Sequence, residues 1–274
     1  MNDVTEPVSL PASELPLRRR ARLSPRLRKF LAWCVHFYTA TGLIAAGGMA
    51  VAILNPSLES FRLAFLLMIV ATLIDATDGL FARLVRVKEV LPGFDGRRLD
   101  DLVDFQTYVT LPLLLIWQAR LLPPGQEAWL LVPLLAAAYG FCQVQAKTSD
   151  GYFLGFPSCW NIVAFYLYVL QPPPAVTVAL LVGFAVLTFM PFRYLYATQP
   201  GRLNRLTNYL GAVWCVLLVW TLFTMPGHPA PGENADNWTR TLTWVSLLFP
   251  VYYFVASWTI TARHWYARRE RRKG

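Results

Sequence analysis

Apolar residues run along the chain in long blocks, separated by short charged or proline-containing breaks. The blocks fall at about 30–54, 61–83, 99–122, 128–147, 158–171, 175–196, 208–225 and 240–264. Roughly 20 consecutive apolar residues cross the hydrocarbon core of a bilayer as a helix. The pattern therefore predicts an all-α integral membrane protein with about eight transmembrane helices. The fifth block is short and is expected to tilt or to start earlier; six or seven spans is the alternative count. Residues 1–29 read as a disordered basic N-terminal segment, 30–266 as the membrane domain and 267–274 as a basic cytoplasmic tail. The first 17 residues are polar and contain proline, so no cleavable signal is expected ahead of the first span.

Composition supports this class. The chain is 55% hydrophobic, with a mean hydropathy of +0.40, against 45–50% apolar for a typical soluble domain. Its charge fixes an orientation. With the N-terminus in the cytoplasm, 22 of the 25 Lys and Arg residues fall on cytoplasmic segments, and Arg62, Arg120 and Arg240 do not. That bias fits the positive-inside rule. The net charge of +9 thus lies beside anionic headgroups and implies no nucleic acid. Cys34, Cys142, Cys159 and Cys215 lie in or beside apolar blocks without metal-binding spacing, and read as small buried hydrophobes.

The chemistry is concentrated in two stretches. Asp75, Asp78, Gly79 and Ala82 recur at i, i+3, i+4 and i+7, one stripe of a helix. Gly96, Asp100 and Asp104 recur at i, i+4 and i+8, a second stripe; Asp101 lies about 100° away from it. Asp75 stands roughly 12 Å inside Arg83, and Asp104 roughly 9 Å inside Arg98, at the helical rise per residue. The two helices run in opposite directions, so four carboxylates are expected to converge just below the cytoplasmic surface. Clustered anions at that depth are costly, and divalent cations offset both the burial and the repulsion. An all-oxygen donor set favours Mg²⁺ or Mn²⁺, and two such ions would clamp a diphosphate. An ion-pair cluster with Arg83, Arg86, Arg97 and Arg98 is the structural alternative. A cation-coupled transporter is a further one, because intramembrane acids also relay ions; all four acids lying near one surface argues against it.

Together the stretches resemble the signature of the CDP-alcohol phosphatidyltransferase family, D-x2-D-G-x2-A-R followed by G-x3-D-x3-D. Asp75, Asp78, Gly79, Ala82, Arg83, Gly96, Asp100 and Asp104 match every fixed position. The departure is the gap: twelve residues, 84–95, stand where eight are usual. That gap, with Val87-Lys88-Glu89-Val90 and Phe94-Asp95-Gly96, is similar to the bacterial branch of the family that makes phosphatidylcholine. So are Tyr139-Gly140-Phe141-Cys142-Gln143-Val144 and Gly155-Phe156-Pro157-Ser158 with Trp160-Asn161. The likeness covers about residues 33–210.

The resemblance implies a six-helix catalytic core within the eight spans, in the bacterial inner membrane, with the active site facing the cytoplasm. It implies transfer of a phosphatidyl group from CDP-diacylglycerol to choline with release of CMP, and, because dimers are common in the family, a homodimer. Asp75, Asp78, Asp100 and Asp104 would hold two Mg²⁺ or Mn²⁺ ions, and Asp104 would also be the general base. Gly79, Ala82 and Gly96 would let the nucleotide lie against the helices, and Arg83 and Lys147 would contact phosphates. Choline is held by aromatic faces, which makes Tyr108, Tyr139, Phe156, Trp160 and Tyr166 candidates for the acceptor site. Serine, inositol or a glycerol phosphate remains the alternative acceptor.

Overall fold

A computed structural model describes residues 24–144, 148, 152–195, 202–224 and 237–271. Lys147, most of the N-terminal segment and most of the 226–239 loop lie outside the described residues.

Helix α1 (Pro25–Leu54) opens on Ser24, whose Oγ accepts from the Leu27 amide at 3.3 Å, with Pro25 at the first helical position. Helix α2 (Leu58–Val85) opens on Ser57, whose Oγ accepts from Ser60 N at 3.0 Å. The two pack along their lengths. Apolar lipid supplies little drive for helices to associate, so close approach of small residues has to supply it. Ala45, Ala46 and Ala52 of α1 accordingly share one core with Phe61, Ala64, Phe65, Met68 and Ala71 of α2, while Gly42 of α1 lies against the Val103 side chain. Helix α2 ends at Arg86, in the left-handed region at φ 60°, and the short α3 (Val87–Val90) follows.

The third rod has three parts: α4 (Gly96–Asp104), a wider π-type turn over Phe105–Thr110, and α5 (Leu111–Gln118). Pro112 accounts for the wide turn. It has no amide to give the Tyr108 carbonyl, and its ring crowds that carbonyl, so the preceding turn loosens. A short 3₁₀ turn (Glu127–Leu130) leads into α6 (Leu131–Cys142). Helices α7 (Trp160–Leu170), α8 (Pro174–Phe189), α9 (Arg202–Thr224), α10 (Asn237–Ser246) and α11 (Leu248–Arg271) complete the helical set.

The fold is all-α at the level that matters for the bilayer. Pro25–Leu54, Leu58–Val85, Leu203–Thr224 and Thr241–Ala267 are long and apolar enough to cross a membrane, while Glu127–Cys142, Trp160–Leu170 and Pro174–Phe189 are shorter apolar helices. Large apolar side chains such as Phe37, Ile44, Leu84 and Leu135 point outward, as a lipid-facing surface requires.

Two expected spans end early. The fourth stops at Cys142 instead of reaching 147. The sixth stops at Phe189, and the chain beyond it forms a strand. Strands β1 (Tyr152–Leu154) and β2 (Arg193–Leu195) pair antiparallel, with Phe153 opposite Tyr194. The free edge of β2 is closed by α11: Arg193 N donates to Thr261 Oγ1 at 2.8 Å, Leu195 N to Ser257 Oγ at 3.2 Å, and Tyr253 Oη donates to the Leu195 carbonyl at 2.9 Å. Non-helical backbone in a membrane protein survives where protein groups satisfy it, and these hydroxyls do so.

Gly155 links β1 to α7 at φ +82°, and a Cβ there would run into the Thr188 carbonyl. Gly155→Ala is therefore expected to destabilise the folded protein by about 1–3 kcal/mol from backbone strain alone, and more from the overlap. Gly183 in α8 has nothing near its Cβ position, so Gly183→Ala should leave stability unchanged or raise it by up to about 1 kcal/mol. Thermal unfolding of both variants in the same detergent checks this; equal melting temperatures would refute the packing described for Gly155.

Candidate active site

Two caps set the site. The Arg86 amide donates back to the Arg83 carbonyl at 3.2 Å and closes α2. Nine residues on, Asp95 Oδ1 accepts from the Arg97 and Arg98 amides at 3.1 and 3.2 Å and starts α4 at Gly96. The ends of both signature helices are thus fixed by their own caps, and the carboxylate stripes face each other.

One oxygen each of Asp75, Asp78 and Asp100 lies within 4.8 Å of the other two. Asp78 is buried, at 7% exposure, and Asp75 and Asp100 are half-buried. Asp104 stands one turn further along the rod, outside this group. Asp101 is not part of the triad. The ion pairs nearby join Arg86 to Glu89 at 3.0 Å and Arg98 to Asp95 at 3.3 Å. Two of the four arginines that an ion-pair cluster would need therefore serve other carboxylates. Three converging carboxylate oxygens, with no nitrogen or sulfur donor among them, suit a hard divalent cation.

Hydroxyl groups hold two of these acids. Thr39 Oγ1 of α1 donates to Asp78 Oδ2 at 2.9 Å, and Tyr108 Oη donates to Asp75 Oδ2 at 2.8 Å. Tyr108 lies in the wide turn, where each residue advances the helix by a smaller angle, which brings it back toward the stripe of Asp100 and Asp104. Behind Tyr108, Thr72 Oγ1 accepts from Asn161 Nδ2 of α7 at 3.4 Å.

The small residues of the signature have three different surroundings. A Cβ on Gly79 would meet only Arg83 Nη1, at an ordinary 3.5 Å, so this stretch of α2 backbone is open to a ligand. Ala82 packs against the cluster of Ala32, Val35 and Val87. Gly96 lies against the His36 imidazole, which a Cβ would overlap. His36 is itself buried, beside Phe94 at 4.4 Å between ring centroids.

Of the aromatic candidates, Tyr108 reaches the acids. Tyr139 is 46% exposed and lies against Phe189 at 4.9 Å. Phe156 and Trp160 are in the core, 5.3 Å apart. Tyr166 is also buried, its hydroxyl accepting from Trp214 Nε1 at 2.9 Å and paired with Ser246 Oγ at 3.0 Å. Thr39 and Thr72 carry no motif that marks them, and Asn161 is marked only as part of the Trp160-Asn161 stretch, with no role attached. The available signal for Thr39 was its spacing from His36, i to i+3, two polar residues on one face of an otherwise apolar helix.

No family model matches the chain. It is similar to phosphatidylcholine synthases of several bacteria. It is 42% identical to that of Legionella pneumophila over 185 residues, 65% of this chain and 69% of the relative. It is 39% identical to that of Bradyrhizobium diazoefficiens over 202 residues, 73% and 74% of the two chains. It is 36% identical to that of Pseudomonas aeruginosa over 191 residues, 69% and 79%. A helical membrane protein that carries the complete two-stripe signature and brings three of its four aspartates together is an enzyme of the CDP-alcohol phosphatidyltransferase type. Within that class, the chain belongs to the phosphatidylcholine synthase family.

The triad separates the aspartates functionally. Asp78→Ala and Asp100→Ala are expected to lose nearly all activity, whereas Asp101→Ala keeps a substantial part of it. Initial rates on folded, purified variants decide this; equal loss in all three would contradict the geometry.

Proposed function

We propose that the chain transfers the phosphatidyl group of CDP-diacylglycerol to choline, forming phosphatidylcholine and CMP. The observation that carries this is the convergence of Asp75, Asp78 and Asp100 within 4.8 Å on a complete family signature, with Asp104 bordering them. The relatives' names support choline as the acceptor. The basic cytoplasmic flanks support a site that opens to the cytoplasm from the inner membrane, and the family supports a homodimer.

In this reading Asp75, Asp78 and Asp100 hold Mg²⁺ or Mn²⁺, two ions with Asp104 completing the set. Bound there, the metal would offset the charge of the diphosphate and of the departing CMP. The open face of α2 at Gly79 receives the nucleotide, and Arg83, with Lys147, neutralises phosphate oxygens. The choline hydroxyl oxygen forms a bond to the phosphorus that carries diacylglycerol. The bridging P–O bond breaks, CMP leaves with the electron pair, and the hydroxyl proton passes to Asp104. Transfer of this kind depends on positioning and charge stabilisation more than on covalent participation by the protein.

The test is the purified full-length protein with CDP-diacylglycerol and, in turn, choline, serine, inositol and glycerol 3-phosphate. Choline should give phosphatidylcholine and CMP in equal amounts, and the others little product. EDTA should abolish turnover, and Mg²⁺ or Mn²⁺ should restore it. Comparable turnover with serine would move the assignment to another acceptor, and full turnover in EDTA would remove the metal.

Asp104→Asn is nearly isosteric and retains an oxygen but neither the charge nor the base. It is expected to bind CDP-diacylglycerol while turnover falls by roughly 10² or more, the scale of a lost general base. Nucleotide binding and initial rate measured on one preparation check this. A near-wild-type rate, or loss of nucleotide binding, would reject the base.

A further inference from the structure

Two hydroxyl groups outside the signature each donate to one of its acids. Thr39 is buried at 6% exposure on α1. Its one proton has two acceptors in range, Asp78 Oδ2 at 2.9 Å and the Val35 carbonyl at 3.4 Å. The shorter, charge-assisted bond is the stronger, so the proton goes to the carboxylate. Tyr108 approaches from the wide turn of the third rod and donates to Asp75 Oδ2 at 2.8 Å.

We propose that Thr39 and Tyr108 are positioning residues for the metal-holding carboxylates, clamping Asp78 and Asp75 from two different helices so that both point at Asp100. The inference rests on the reading of these acids as metal ligands. Three carboxylates within 4.8 Å repel one another, and each has rotatable bonds through which it can swing away. A donor fixed to one oxygen removes that freedom before any ion arrives. The two donors come from separate elements, so loosening of either helix against α2 would release one acid. Partners of this kind typically change metal affinity or activity 10–100-fold when removed.

The experiment titrates Mn²⁺ into the purified full-length protein, without nucleotide, and follows free Mn²⁺ by electron paramagnetic resonance. Thr39→Val keeps the shape and loses the donor; Thr39→Ser keeps the donor; Tyr108→Phe loses only the hydroxyl. Thr39→Val and Tyr108→Phe should each bind Mn²⁺ 10–100-fold more weakly, and Thr39→Ser within about threefold of wild type, the scale set for such partners. Excess Mn²⁺ should then recover most of the lost initial rate, which a general packing defect would not allow. If Thr39→Val does not fold, Tyr108→Phe and Thr39→Ser still decide the matter. Unchanged Mn²⁺ affinity in the folded donor-less variants overturns the positioning role and leaves the metal reading standing. Absence of Mn²⁺ binding in the wild type overturns both, while the identity of the acceptor alcohol is untouched by either result.

Discussion

Repulsion among like charges in a poorly polarisable setting is the constraint on which the rest of the molecule depends. Two unit charges 4.8 Å apart repel by about 3.5 kcal/mol at an effective dielectric of about 20. Three such pairs come to about 10 kcal/mol, comparable with the whole folding stability of a typical domain. The fold must therefore hold the acids together while leaving them able to meet compensating positive charge. Both stripes begin near capped helix ends. Arg83 and Arg98 stand between the acids and the capped ends, and Asp78 is buried while Asp75 and Asp100 are half-buried. Helix α1 then presses small residues against α2 and α4, which keeps the two stripes in register.

Much of this was legible in the chain. Hydropathy placed helices within a few residues of most observed ends, because a bilayer demands long apolar stretches whatever their tertiary partners. The aspartate spacing placed Asp75, Asp78 and Asp100 together, because helical periodicity carries side chains to one face. Other features depend on contacts distant in sequence. Tyr152–Leu154 pairs with a segment some forty residues on, and nothing local marks either as a strand. The wide turn at Phe105–Thr110 follows from Pro112, which a periodicity argument passes over. Thr39 reads as one more tolerated hydroxyl in an apolar helix until Asp78 is seen beside it.

The small signature residues show why a shared motif does not assign a shared task. Gly79 leaves its neighbourhood open, Ala82 fills a helix contact, and Gly96 admits the His36 ring. Two of these three satisfy the packing of α1, and one exposes backbone to a ligand. The aromatic candidates divide in the same way. Tyr166 and Trp160 build the interior, whereas Tyr108 alone among the five donates to a site acid.

The caps at Arg86 and Asp95 have one further implication. Each closes its helix with bonds made to residues no more than four positions away, so neither needs the connection between them to have a particular length. The loop between the two halves of the signature can lengthen or shorten across evolution while the acids stay in place. The same independence makes Pro92 and Gly93, both exposed, a natural point at which to graft a reporter or an epitope without disturbing either cap.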